Sequence, residues 1–75
     1  MSKIYKGKNG QEFDLSMITS IYWNQDKRVQ VYMSGAGDPI NVLYRHGSES
    51  EAIAKAEQFH TDILRAWKEY NEVDA

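Results

Sequence analysis

The chain has 75 residues with one proline, no cysteine and a formal net charge of −2, which indicates a single domain over residues 1–75 that no disulfide or cysteine zinc site can hold together. The absence of a long apolar run excludes a membrane-spanning segment, and the start MSKIYKGK lacks a hydrophobic signal core, so we expect a cytoplasmic protein. Residues 1–48 carry six Lys and Arg against four Asp and Glu, and residues 49–75 carry three against seven. This balance favours a protein partner, because broad nucleic-acid binding requires a basic face.

A β-hairpin is predicted in KIYKGKNGQEFDL, residues 3–15, because Asn9-Gly10 is typical of a two-residue type I′ turn in which both residues need positive φ. This loop length decides which residues lie opposite each other on the two strands: Lys8 and Gln11, Lys6 and Phe13, Ile4 and Leu15. Three apolar side chains then share the core face: Ile4, Phe13 and Leu15. Tyr5 and Asp14 are predicted to point to the other face.

Two more strands follow a short turn predicted around residues 15–18, where Asp14 and Ser16 can bond their own backbone. Residues 19–24 alternate, as do residues 29–34, and a polar turn over residues 24–27 joins them. The alternation predicts inward side chains at Ile21, Trp23, Val29, Val31 and Met33. It predicts outward side chains at Ser20, Tyr22, Gln30, Tyr32 and Ser34.

The segment SGAGDP, residues 34–39, has two glycines that could cradle a phosphate or let two strands turn. A dinucleotide loop is followed at once by a helix, whereas Pro39 here precedes Ile40 and Val42 at strand spacing. The segment is therefore predicted to be a hairpin turn leading into a fifth strand. The pattern leaves open whether Leu43 or Tyr44 points inward.

A C-terminal helix is predicted over residues 48–71, with a frayed tail over residues 72–75. It begins with Ser48-Glu49-Ser50-Glu51, an S-x-x-E capping box in which Ser48 is the N-cap. Apolar side chains then fall within one arc of roughly 160° at about 100° per residue: Ala52, Ile53, Ala56, Phe59, Ile63, Leu64, Ala66, Trp67 and Tyr70. So wide an arc is typical of a helix that covers a sheet.

The element order predicts an α+β fold, with an antiparallel β-meander of four to five strands over residues 1–46 and the amphipathic helix packed on one sheet face. This pattern resembles a reduced pleckstrin-homology-like arrangement. The turn at Lys8-Asn9-Gly10 and the segment DLSMITSI, residues 14–21, also resemble small phage and prophage proteins, which include anti-CRISPR and other anti-defence inhibitors. The resemblance implies a protein that acts by occupying a surface, and it assigns no site residues.

The sequence offers no set of residues suited to catalysis. With no cysteine, the nucleophile would be serine or threonine, and Ser34, Ser48 and Ser50 fall in predicted turns or caps. His60 and Asp62 are two residues apart and do not face each other on a helix, so a partly buried structural role is favoured for His60. Neither His60 nor His46 has metal-ligand spacing. We predict no catalytic residues, no metal and no cofactor, and an enzyme using His60 is the least favoured hypothesis.

The sheet face opposite the helix is the candidate partner-binding surface, with Tyr5, Tyr22, Tyr32, Arg28 and Arg45 as its predicted site residues. Tyrosine suits a strand even when exposed, so the rings could reflect β-propensity alone. Tyrosine and arginine are also favoured at interfaces, so the rings could form a contact patch. Both interpretations remain open.

The leading functional hypothesis is a non-enzymatic interaction protein, such as a phage-derived inhibitor or regulator, that binds a protein partner or a second copy of itself. No membrane partner is predicted. A structural protein of unknown role that assembles with copies of itself is one alternative, and two further alternatives use other chemistry. Single-stranded nucleic acid could stack on the tyrosines beside Lys27, Arg28 and Arg45, although the acidic net charge disfavours it. The acidic face of the helix could instead mimic a nucleic acid.

Overall fold

The computed structural model describes residues 3–7 and 10–73. The elements of these residues, in chain order, are β1 (Ile4–Lys6), β2 (Glu12–Asp14), a 3-10 turn (Leu15–Met17), β3 (Ile18–Trp23), β4 (Arg28–Met33), β5 (Ile40–Leu43) and α1 (Glu49–Val73). The predicted α+β class with a C-terminal helix on antiparallel strands is confirmed.

The described strands form two sheets, β1-β2 and β3-β4-β5, in place of one meander of four to five strands. The break lies at the 3-10 turn, where the Asp14 carboxylate accepts a hydrogen bond from the Ser16 N–H at 3.0 Å. The hydroxyl of Ser16 also donates to this carboxylate and lowers the pKa of Asp14. This capped turn redirects the chain before β3 begins, so β3 pairs with β4 and not with β2.

The register of the first hairpin differs from the prediction by one residue. Tyr5 lies opposite Phe13, and Ile4 lies opposite Asp14. The Gly7 N–H donates to the Gln11 carbonyl at 2.8 Å, so three residues separate the paired ends where the prediction had two. Gly10, with φ +82°, occupies the last loop position, which suits a three-residue hairpin loop with glycine in the left-handed region.

This register corrects the predicted faces of the hairpin. Phe13 is buried and Tyr5 packs against the same core, whereas Ile4 lies on the opposite face beside Asp14. The predicted core face of Ile4 and outward face of Tyr5 are therefore wrong, because a one-residue slip exchanges the two faces of a strand. The predictions for Lys8 and Asn9 lie outside the described residues.

The three-stranded sheet follows the predicted alternation. Ile21 pairs with Val31 and Trp23 with Val29 on the inner face, and Tyr22 pairs with Gln30 on the outer face. A register shift between Ile18 and Ser20 indicates a β-bulge. The bulge turns Ile18 inward, where it is buried.

The polar turn predicted over residues 24–27 joins β3 to β4, and its geometry positions the start of β4. Gln25 has φ 57°, and the carboxylate of Asp26 accepts a hydrogen bond from the Arg28 N–H at 2.9 Å. The Trp23 indole N–H donates to the Asp26 carbonyl at 2.7 Å. These bonds stabilise the turn immediately before Arg28, the first residue of β4.

The SGAGDP segment connects β4 to β5 antiparallel, which confirms the hairpin interpretation. Gly35 has φ +83°, and the Ala36 N–H donates to the Met33 carbonyl at 3.2 Å. β5 follows at Ile40, where a phosphate loop would lead into a helix. Tyr44 is half-buried and Leu43 exposed, which answers the question that the pattern left open.

The capping box and the apolar arc of α1 are confirmed. The hydroxyl of Ser48 accepts a hydrogen bond from the Glu51 N–H at 3.2 Å, and the carboxylate of Glu51 accepts one from the Ser48 N–H at 3.3 Å. The Ser48 hydroxyl also donates to this carboxylate at 3.0 Å, and the bonds that the carboxylate accepts, first from the Ser48 N–H and then from its hydroxyl, lower the pKa of Glu51. The helix runs to Val73, two residues beyond the predicted end at Asn71, because a single asparagine costs a helix only a few tenths of a kcal/mol.

The core lies between α1 and the inner faces of the sheets. Its buried apolar residues are Phe13, Leu15, Ile18, Val29, Val31, Val42, Ala52, Ala56, Phe59 and Ile63. Complete burial of an aliphatic or aromatic side chain contributes about 1.5–3 kcal/mol. Half-buried side chains of the helix, among them Trp67 and Tyr70, extend the contact, so one face of the three-stranded sheet is covered and the other is left open.

Candidate protein-interaction surface

The open face of the three-stranded sheet carries six side chains at neighbouring ladder positions. We call them the outer sheet patch: Tyr22, Arg28, Gln30, Tyr32, Asn41 and Leu43. Tyr22, Gln30 and Asn41 form one row across the three strands. Arg28 and Tyr32 lie two residues to either side of Gln30 on β4, which makes both diagonal neighbours of Tyr22.

The patch combines exposed rings with polar groups at its centre. Tyr22 is 51% exposed, Leu43 40% and Tyr32 38%. The Gln30 side-chain amide donates to the Asn41 side-chain carbonyl at 3.2 Å, which links β4 to β5 on the outer face. Among the described residues of the patch, Arg28 supplies the charge. The arrangement can therefore bury aromatic area against a partner and place one cation beside it.

The structure brings together three of the five predicted site residues: Tyr22, Tyr32 and Arg28. Tyr5 lies apart from them on the first hairpin, and Arg45 follows β5, where it lines the groove described below. Tyr5 packs edge-to-face on Phe59, with ring centroids 6.1 Å apart, and its burial and the nearby carboxylate of Asp62 raise its pKa. The predicted place of Tyr5 on the outer face is wrong, since the one-residue register change turns its ring inward.

Arg45 and Tyr5 line a groove of about 760 Å³ between β1, the end of β5 and α1. The groove is bounded by side chains from all three elements: Tyr5, Lys6, Leu43, Tyr44, Arg45, His46, Ala54, Lys55, Gln58, Phe59 and Asp62. Phe59 lies at its floor between Tyr5 and Tyr44, the second ring centroid being 6.4 Å away. Burial is the main cause that raises the pKa of Tyr44, and the nearby Tyr5 and Asp62 raise it further.

Sequence reasoning missed this groove as a site. Its one accessible signal was the alternation of Ile40, Val42 and Tyr44, which places Tyr44 on the helix side of β5. Lys6 lies on β1 and Lys55 on α1, so only the three-dimensional structure shows that both border the groove.

His60 is half-buried, and its ring lies beside that of Trp23 with centroids 5.3 Å apart. Desolvation by this packing lowers the pKa of His60, and the carboxylate of Glu57 acts in the opposite direction. The contact fits the structural role that the sequence favoured. Over residues 3–7 and 10–73, no three His, Cys, Asp or Glu side chains are grouped so that they could hold a metal ion.

In the part of the chain that the structure describes, no helix combines the length and the apolar character needed to cross a membrane. Comparison of the chain with models of protein families, with curated proteins and with solved structures found no match. The candidate surfaces are therefore defined by the chain's own residues.

Proposed function

We propose that the protein is a small non-enzymatic interaction module that binds a protein partner through the outer sheet patch. The observation that supports this proposal is the open sheet face with Tyr22, Tyr32 and Arg28 as diagonal neighbours. Tyrosine and arginine are the residue types most often found as binding hot spots. The resemblance to small phage and prophage proteins favours an inhibitor or regulator that acts by covering its partner's surface.

The sheet geometry supports a protein partner because the patch extends across three strands. The sheet fixes the backbone positions of the two tyrosines, so their rings can be buried without a backbone rearrangement in this chain. One cation among aromatic and amide groups suits a protein interface, in which the centre is depleted of charge and the rim is polar.

Single-stranded nucleic acid is the second candidate, because bases stack on exposed tyrosine rings and Arg28 stands beside Tyr22. We favour it less, because the chain has a net charge of −2 and Arg28 is the one cation among the six residues of the patch. We do not favour the nucleic-acid mimic either. On α1 the bases Lys55, Arg65 and Lys68 are interspersed among the acids.

The test is a double variant, Tyr22→Thr with Tyr32→Thr, which removes both rings and replaces them with a residue that also favours strands. Met17→Thr is the matched control, because Met17 is a 42%-exposed apolar residue outside the patch. Capture from a lysate of the source cells, with quantification of the bound protein, compares the variants. The wild type and the control should capture the same partner, and the double variant should bind it about 30-fold more weakly if each ring supplies part of a hot spot.

Equal capture of that partner by the double variant, with unchanged far-UV circular dichroism, would refute the patch as the binding site. Light scattering on the purified proteins separates a second copy from a foreign partner, since only self-association raises the mass of the protein alone. Fluorescence titration with oligothymidylate at low and high salt tests the second candidate. Absence of binding at low salt excludes it.

A further inference from the structure

The groove between β1, β5 and α1 has a charge opposite to that of the chain. Lys6, Arg45 and Lys55 border it, and Asp62 is the carboxylate among its lining residues, although the whole protein carries a net charge of −2. The Lys6 ammonium lies 4.0 Å from the exposed carboxylate of Glu12, whereas within residues 3–7 and 10–73 neither Arg45 nor Lys55 forms an ion pair with a carboxylate. The groove therefore offers positive charge to an incoming group.

The backbone of β5 adds an edge to this groove. In the described residues the sheet order is β3-β4-β5, and no strand pairs with the second side of β5. The Tyr44 N–H donates to the Lys27 carbonyl at 3.0 Å, so residues 40, 42 and 44 direct their backbone groups to β4 by the alternation of an antiparallel ladder. The N–H and C=O groups of Asn41 and Leu43 consequently face the open edge.

These two features lie together, because Leu43 belongs both to the open edge and to the lining of the groove. An extended peptide can use such an edge by adding a strand, in which backbone bonds supply affinity and alternate side chains enter neighbouring pockets. Side chains that enter this groove would meet the aromatic floor formed by Tyr44 and Phe59, with cations around it.

We propose that the groove binds an extended acidic segment of a partner protein, which adds a strand to the open edge of β5 and directs carboxylates to Lys6, Arg45 and Lys55. Charge complementarity selects the acidic segment, since a basic one would face three cations. A backbone edge selects a polypeptide. This proposal concerns a different surface from the outer sheet patch and does not depend on it.

The probe is a capped hexapeptide, Val-Glu-Val-Asp-Val-Glu, because six extended residues span about 20 Å and cover the edge of β5. Its counterpart carries lysine in place of each acid. Titration of the isotope-labelled protein, followed by amide NMR, should shift the Asn41 and Leu43 resonances with the acidic peptide and not with the basic one. Two versions of the acidic peptide carry N-methyl groups on the backbone amides, one at the three valines and the other at the three acidic residues. Only alternate N–H groups of an added strand face β5, so one version should lose binding and the other should keep it.

The double variant Arg45→Glu with Lys55→Glu should bind the acidic peptide about tenfold more weakly. The matched control Arg65→Glu with Lys68→Glu makes the same charge change on α1 away from the groove, and it should bind like the wild type. Tyr22→Thr with Tyr32→Thr should also keep peptide binding, which separates this proposal from the one above.

Three results would overturn the proposal: no shift at millimolar peptide, equal binding by both methylated versions, or equal weakening by the two charge variants. The first would show that the edge is not available. The second would show that no strand is added, and the third that the peptide responds only to net charge.

Discussion

The connection between β4 and β5 contains two glycines in different backbone conformations, and this difference gives a sharp test of the structure. Gly35 has φ +83°, in the left-handed region that L-residues avoid, whereas Gly37 lies outside that region. A Cβ added at either position meets no atom within 4 Å. Alanine at the two sites therefore differs in backbone strain and not in steric contact.

The magnitude follows from the conformations. An L-residue in the left-handed region costs about 1–2 kcal/mol. Replacing glycine by alanine also restricts the unfolded chain, which stabilises the protein by about 0.4–1 kcal/mol at either position. Since this second contribution is common to both variants, Gly35→Ala should be less stable than Gly37→Ala by about 1–2 kcal/mol. In a domain of this size the melting temperatures should then differ by about 4–16 °C.

Thermal unfolding followed by far-UV circular dichroism measures this difference, and urea titration gives the free energies of unfolding independently. Gly37→Ala should melt at or slightly above the wild type, and Gly35→Ala should melt below Gly37→Ala. Coincident transitions of the two variants, or the reverse order, would show that Gly35 does not hold its left-handed conformation in solution, and the reasoning would be refuted.

Two further predictions concern α1. Ser48→Ala removes the hydroxyl that caps the first turn and should cost about 1 kcal/mol, or about 4–8 °C in melting temperature, with Ser50→Ala as a milder control on the neighbouring hydroxyl. For His60, packing against Trp23 lowers the pKa in the folded state, so the unfolded chain binds the proton more readily and the stability should be complete above about pH 6.5 and fall as the pH drops below it. Urea denaturation at a series of pH values should show this loss in the wild type and in His46→Gln but not in His60→Gln, and an unchanged slope in His60→Gln would contradict the assignment.

The helix could be predicted from sequence because several independent signals agree on it. Ser48 and Glu51 form a local capping motif, and the apolar arc repeats over several turns, so an error at one residue does not change the result. Buried Phe59 and Ile63 lie where the arc places them. The strands β3 and β4 were predictable for a similar reason, since the alternation of β4 and of β3 beyond its bulge determines which face is apolar.

The first hairpin could not be predicted in the same way. β1 and β2 have three residues each, so the alternation offers few positions to distinguish one register from the next. Ile4 and Tyr5 are both apolar enough to face the core, and either register therefore buries one of them. Gly10 suits both the second position of a two-residue turn and the last position of a three-residue loop. The core decides, because Phe13 and Phe59 leave a place that the ring of Tyr5 fills.

This single slip in register also explains why the site predicted from sequence is divided between two surfaces. Because Tyr5 points inward, its ring is absent from the outer face and instead forms part of the aromatic lining of the groove, which Arg45 also lines. Tyr22 and Arg28 remain together on the open sheet. Leu43 is the patch residue that also lines the groove, so the two surfaces adjoin along β5. Because the variants at Tyr22 and Tyr32 share no contact with those at Arg45 and Lys55, their effects on a partner that covers both surfaces should add.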